Sequence, residues 1–280
     1  MPKVTIQTLR EKRARKEPMT FLTGYDYPFA MLEQKAGIDV ILVGDSIGMV
    51  VYGYNSTLPV TVDLMMPHVK AVRLGAPDVY LVGDMPYMSY QVSKSEAIRN
   101  GGRFMAEGGC DAVKLEGGRE MAETVRAMVD ATIPVMAHIG LTPQSVAQLG
   151  GYKAQGRDIA TAKRLVEDAE ILQEAGVSSL LLEAVPAEVA EIITRRLSVP
   201  VFGIGAGPHV DGQVLVIHDM IGMFDRHTPK FVKKYKLIGE QILEALKEFK
   251  EDVAERRFPA LEHCYPMPQE VAEELKKIYP

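Results

Sequence analysis

Cysteine is scarce in this chain. The two present, Cys110 and Cys264, fall in no metal-ligand or redox spacing, which excludes a disulfide scaffold and a structural zinc site. No apolar run is long enough to span a bilayer, and the basic stretch Leu9–Lys16 lacks the apolar core of a secretory signal. The chain therefore reads as cytoplasmic, without a membrane partner. Charge of one sign is not concentrated either: the net charge of −5 is spread along the chain, so nothing calls for nucleic acid. The basic stretch itself reads as a solvated helix face. His209, His218, His227 and His263 show no spacing that would form a site.

What the sequence does have is a repeated phrase. Asp39–Met49 contains a short apolar run, Val40–Val43, with the length and β-branched content of a strand buried on both faces, and it stops on Gly44-Asp45-Ser46. The pattern returns: Val79–Val82 runs into Asp84, Asp111–Glu116 carries Lys114 and Glu116, Pro134–His138 ends on histidine, and Ser179–Glu183 ends on an acid. In parallel α/β folds the carboxyl ends of strands open into loops while the strand bodies are packed, so these polar ends converge on one mouth.

Helices are expected between the strands, over Pro28–Lys35, Asp63–Leu74, Glu120–Ala131, Asp158–Ala175 and Ala187–Leu197. Another runs from a capping box at Ser93–Glu96 to about Glu107. Met19–Thr23 supplies a first strand, Pro200–Gly207 a seventh and Leu215–Ile217 an eighth. Two long polar connections, Val50–Pro59 and Ile139–Gly156, read as loops over the mouth. Lys230–Lys250 and Glu270–Ile278 read as closing helices. About eight strand–helix alternations in 280 residues select a (β/α)8 TIM barrel, with an open doubly wound sheet as the runner-up. Residues 1–264 form a single barrel with an N-terminal helix, and 265–280 a helical tail expected to pack on the barrel or on a neighbouring subunit.

Asp45, Asp84 and Glu116 bring three hard oxygen donors from three strands, and crowded carboxylates repel unless a cation joins them. With no cysteine and little histidine beside them, Mg²⁺ is favoured and Mn²⁺ is possible, held by one or two carboxylates plus water. Lys114 leaves its strand on the same face as Glu116 and either neutralises a substrate anion or forms a structural ion pair. His138 either hydrogen-bonds substrate or is a satisfied core residue. Glu183 lies between Leu180–Leu182 and Ala184–Pro186, and partial burial there suits a general base taking the acidified proton beside a 2-oxo acid's carbonyl. Gly203–Gly207 looks like a dinucleotide fingerprint, but Pro208 and the strand that follows argue against it. Its glycines more simply let backbone approach the mouth.

Read together, Gly44–Gly48, Ser56–Thr61, Lys114–Gly118, His138–Ser145, Gly150–Lys153 with Gln155-Gly156, and Gly203–Gly207 with Asp211–Gln213 resemble the ketopantoate hydroxymethyltransferase family. The likeness runs in order from about Thr5 to about His263. It implies a barrel of the phosphoenolpyruvate/pyruvate-binding superfamily. It also implies a Mg²⁺-stabilised enolate and transfer of a one-carbon unit from 5,10-methylenetetrahydrofolate, a reduced folate, to 3-methyl-2-oxobutanoate, giving 2-dehydropantoate in pantothenate synthesis. By resemblance, Asp45, Asp84 and Glu116 match metal-site acids, the first two also facing substrate. Ser46, Lys114 and His138 match substrate contacts, and Glu183 matches the proton acceptor. A homodecamer is implied as well. The rival expectations are a superfamily lyase or phosphomutase acting on a 2-oxo acid, often dependent on a loop cysteine absent here, and a non-catalytic oxo-acid-binding barrel.

Overall fold

A computed structural model describes residues 2–224, 226 and 228–280; His227 lies outside them. The apolar runs become eight strands: β1 Met19–Thr23, β2 Val40–Val43, β3 Tyr80–Asp84, β4 Ala112–Glu116, β5 Val135–Gly140, β6 Ser179–Glu183, β7 Val201–Ile204 and β8 Gly212–Leu215. They are all parallel and pair in sequence order, and β1 closes on β8. The expected (β/α)8 barrel is thus the fold, not the open sheet.

Between and after the strands run twelve helices among the described residues. These are α1 Ile6–Ala14, α2 Tyr27–Ala36, α3 Ile47–Val50, α4 Val62–Gly75, α5 Lys94–Ala106, α6 Ala122–Asp130, α7 Val146–Leu149, α8 Ile159–Glu174, α9 Ala187–Arg196, α10 Ile217–Met220, α11 Ile238–Ala254 and α12 Gln269–Ile278. Local chemistry sets their ends. Asp26 and Ser93 accept from N–H groups of the first turns of α2 and α5, and Gly37 caps α2 in the left-handed conformation at φ 78°.

The period of two along a strand sorts the core into two layers. Val40 and Leu42, Tyr80 and Val82, Met136, Leu181, Phe202 and Val214 fill the barrel interior. The intervening Ile41, Val43, Leu81, Val113 and Leu182 face the helices. The same alternation carries the chemistry inward. Asp84 is two residues beyond Val82, Lys114 and Glu116 two and four beyond Ala112, His138 two beyond Met136, and Glu183 two beyond Leu181.

Four expectations change. First, the eighth strand begins at Gly212, not Leu215, because Met19 pairs with Gly212 while Val216 already caps α10. A Cβ at Gly212 would come within 2.7 Å of Phe202 and 2.8 Å of the Met19 carbonyl, so the strand needs glycine to close the barrel. Second, the helix expected from Lys230 starts at Ile238. Lys230, Lys233, Lys234 and Lys236 would crowd like charges along one helical stretch. Third, both mouth loops are shorter than expected: Val50 belongs to α3, and the second connection begins only after β5 ends at Gly140 and contains α7, Val146–Leu149.

Fourth, the basic N-terminal stretch is not merely solvated. Leu9 is fully buried under the barrel. Arg13 donates to the carbonyls of Thr194 and Leu197 and pairs with Asp211, and Lys12 lies 2.5 Å from Asp39. Helix α1 thereby plugs the bottom of the barrel and leaves the carboxyl ends of the strands as the open end.

No residue of α11 or α12 is buried, and Ile242, Leu246, Phe249 and Val253 form an exposed apolar stripe along α11. The tail does not bury itself against its own barrel. No helix among the described residues is long and apolar enough to cross a membrane.

Candidate active site

The open end holds a cavity of about 680 Å³ whose lining includes Asp45, Ser46, Asp84, Lys114, Glu116, His138 and Glu183. All seven residues singled out in the sequence therefore share one site. Its floor is charged and buried: Asp45, Asp84, Lys114, Glu116 and His138 are each buried. Its upper wall is apolar, with Val185, Pro186, Ile204, Val214 and Phe231. Gly205, at φ 64°, lets Phe231 lie where a Cβ would stand 2.6 Å away.

Each floor carboxylate has one oxygen held by an amide N–H. Asp84 Oδ2 accepts from the Asp45 N–H at 2.9 Å, Asp45 Oδ2 from Gln144 Nε2 at 2.9 Å, and Glu116 Oε2 from the Gln144 N–H at 2.9 Å. The cations address the remaining oxygens. Lys114 Nζ is 2.8 Å from Asp84 Oδ1 and 3.6 Å from Glu116 Oε1. His138 spans the floor and the wall, with Nδ1 3.5 Å from Glu116 Oε1 and Nε2 3.4 Å from Glu183 Oε2. Ser46 Oγ lies 2.8 Å from the Tyr25 hydroxyl.

Burial and crowding set the protonation balance. Burial, reinforced by Asp84, drives the Asp45 carboxyl well above its usual range, and burial likewise raises Asp84 despite Lys114. At Glu116 burial is overcome by Lys114 and His138, and its carboxyl falls below the usual range. Burial opposes the charge of Lys114, but Asp84, Glu116 and Asp45 outweigh it and hold the ammonium. For His138, burial and Lys114 act downward, while the contacts to Glu116 and Glu183 prevail and lift it to about 9. The site is a set of acids in which, among the described residues, Lys114 and His138 supply the positive charge on the floor.

A hard divalent cation fits this floor. Its free donors are carboxylate oxygens, and Asp84 Oδ1 and Glu116 Oε1 are buried without accepting any hydrogen bond; the short approach of Lys114 to Asp84 is an ion pair without hydrogen-bond alignment. Among the described residues no three His, Cys, Asp or Glu side chains are set to enclose a metal ion. The fit is therefore to an ion held partly through water, as Mg²⁺ commonly is.

Gln144 and Tyr90 are members of the site that the sequence did not single out. Both are buried: Tyr90 rises from the loop after β3, and Gln144 lies in a 3-10 turn, Pro143–Ser145, after β5. The available signal was the polar Gln144 beside Leu141 and Pro143 in a long connection. Neither side chain titrates near neutrality, so a search for acids, bases and ligands passes over them.

A closed parallel barrel with acids, a lysine and a histidine gathered at its strand ends is a (β/α)8 barrel of the enzyme kind, with its polar groups at the carboxyl face. Phosphonopyruvate hydrolase, solved with oxalate and Mg²⁺, superposes with a TM-score of 0.62 over 99% of this chain and 96% of its own, at 13% identity. 2,3-Dimethylmalate lyase superposes at 0.59 over 99% and 98%, at 17% identity. Those likenesses show the fold alone.

The sequence profile of the ketopantoate hydroxymethyltransferase family matches residues 3–261, and the chain belongs to that family. The 3-methyl-2-oxobutanoate hydroxymethyltransferase of Syntrophomonas wolfei subsp. wolfei is 55% identical over 98% of this chain and 100% of its own length. That of Carboxydothermus hydrogenoformans is 50% identical over the same shares.

Proposed function

We propose that this chain moves the one-carbon unit of 5,10-methylenetetrahydrofolate to C3 of 3-methyl-2-oxobutanoate, forming 2-dehydropantoate for pantothenate synthesis. The observation that carries the reading is Glu183 at the cavity wall, 3.4 Å from His138 and above a floor of buried acids. In this arrangement Lys114 and Ser46 receive the oxo acid, and its C3–H faces Glu183.

Asp45, Asp84 and Glu116 would hold a Mg²⁺ or Mn²⁺, one or two of them directly and the rest through water. The bound ion would supply electron withdrawal at the oxo acid's carboxylate and carbonyl oxygens. Glu183 takes the C3 proton, and the C–H electron pair becomes the C2–C3 double bond of an enolate. His138, whose Nε2 lies 3.4 Å from Glu183 Oε2, keeps Glu183 oriented toward the proton it takes. One C–N bond of the folate's methylene bridge breaks, its nitrogen taking up the proton removed from C3, and leaves an iminium; C3 bonds to the methylene carbon as the C=N electron pair returns to nitrogen. Water then displaces the remaining C–N bond, its oxygen becoming the hydroxyl and its released proton going to the nitrogen of the departing tetrahydrofolate.

The cavity supports a second, larger substrate. A volume of about 680 Å³ suits a drug-sized ligand, far more than a five-carbon oxo acid needs. Tyr152, Arg157 and Lys230 stand exposed at its rim, where the aromatic body and anionic glutamate tail of a folate would pass. The apolar stripe on α11 fits burial by neighbouring copies, so we read the chain as a homo-oligomer, a decamer by the family's pattern. Incubating the protein with both substrates and Mg²⁺ and following 2-dehydropantoate by NMR tests the reading. Absence of product, with the fold intact, overturns it.

A further inference from the structure

The geometry assigns Gln144 a positioning role, resting on the function proposed above: its side-chain amide, locked in one orientation, aims the floor carboxylates. One face of that amide meets acceptors only. Nε2 donates to Asp45 Oδ2 at 2.9 Å and to the Met85 carbonyl at 3.0 Å. The other face meets donors. Tyr90 donates its hydroxyl to Oε1 at 2.7 Å, and Gln91 Nε2 approaches the same oxygen at 3.3 Å. Turning the amide over would set Oε1 against a carbonyl and a carboxylate at once, and would leave the Tyr90 hydroxyl facing an NH₂ group.

Tyr90 is held in turn: its oxygen accepts from the Glu116 N–H at 3.0 Å, and its hydroxyl, besides the 2.7 Å bond to Gln144 Oε1, lies 3.2 Å from the Glu116 carbonyl. Through its backbone N–H, Gln144 also holds Glu116 Oε2. A single residue therefore grips one oxygen of an acid just past β2 and one of the acid that ends β4. That leaves Asp45 Oδ1 and Glu116 Oε1 for the cavity. Outer partners of this kind commonly tune metal affinity by about 10- to 100-fold.

The test compares Gln144→Met, which keeps length but removes the donor, Gln144→Glu, which keeps shape but puts an acceptor against Asp45, and Tyr90→Phe, which deletes one hydroxyl. Mn²⁺ affinity is read by electron paramagnetic resonance alongside melting temperature and C3 proton exchange. The expected order is wild type, Tyr90→Phe, Gln144→Met, Gln144→Glu from tightest to weakest, with Gln144→Met weaker by about tenfold or more. Adding Tyr90→Phe to Gln144→Met should cost little further affinity. Mn²⁺ affinity within twofold of wild type in the folded variants overturns the assignment, and Tyr90→Phe alone decides it should the Gln144 variants not fold. A wild type that binds Mn²⁺ but never exchanges the C3 proton refutes the proposed reaction and leaves the clamp standing.

Discussion

His138 joins the proposed base to the acid floor: its Nε2 stands 3.4 Å from Glu183 Oε2 while Nδ1 faces Glu116 Oε1 at 3.5 Å. Because β5 lies between β4 and β6, and His138 sits opposite Glu116 in register, the imidazole reaches both. Its contacts hold it protonated at neutral pH. His138→Gln keeps a polar side chain but loses the charge, and C3 exchange should fall by about 10- to 100-fold. Exchange measured by NMR at an unchanged rate would remove His138 from the mechanism.

Gly140 is the backbone counterpart of that contact. It pairs with Glu183 in register at φ 99°, and a Cβ there would run into the Glu183 carbonyl and stand 2.6 Å from Val185. Gly140→Ala should destabilise the fold by more than about 1 kcal/mol. It should also displace Glu183, so activity is lost ahead of structure. Urea denaturation and C3 exchange on the same preparation check both parts.

Glu33, which does not line the cavity, offers a separate pH test. Its carboxyl is buried in α2 with both oxygens lacking hydrogen-bond partners, and burial, then Asp26, lifts it to about 8 from its ordinary 4.5. The folded chain thus binds more protons than the unfolded one between these values. Its contribution to stability is full below about 4.5 and declines as pH rises to about 8, with a slope of up to about 1.4 kcal/mol per pH unit. Glu33→Gln should flatten that decline, which urea midpoints at the two ends of the window would show.

At the rim, Arg157 and Lys230 should matter to the larger substrate only. Replacing both with alanine should raise the KM for 5,10-methylenetetrahydrofolate severalfold while C3 exchange of the oxo acid, measured without folate, stays at the wild-type rate. Equal effects on both substrates would place the folate elsewhere.

The positions of Asp84, Lys114, Glu116, His138 and Glu183 were legible in the sequence for one physical reason. Each lies an even number of residues beyond an interior apolar residue on a parallel strand, so side-chain alternation alone points it into the barrel. Gln144 and Tyr90 were not legible, since they arrive on loops whose path no periodicity encodes, and their part is hydrogen bonding without charge. The register of β8 was hidden because Gly212 and Gln213 lack the apolar content of a strand; closure of the barrel on Met19 decides it. Lys12 and Arg13 looked like surface charge, and only the bottom of the finished barrel supplies Asp39, Asp211 and the carbonyls they bind.

The central claim is that Glu183 removes the C3 proton of the oxo acid above a cation-holding floor. Its most direct test is deuterium incorporation at C3 of 3-methyl-2-oxobutanoate in deuterated water, without folate, for wild type and Glu183→Gln. The account predicts exchange by wild type with Mg²⁺, little without it, and none by Glu183→Gln although its affinity for the oxo acid is nearly unchanged. Exchange by Glu183→Gln at the wild-type rate would contradict it.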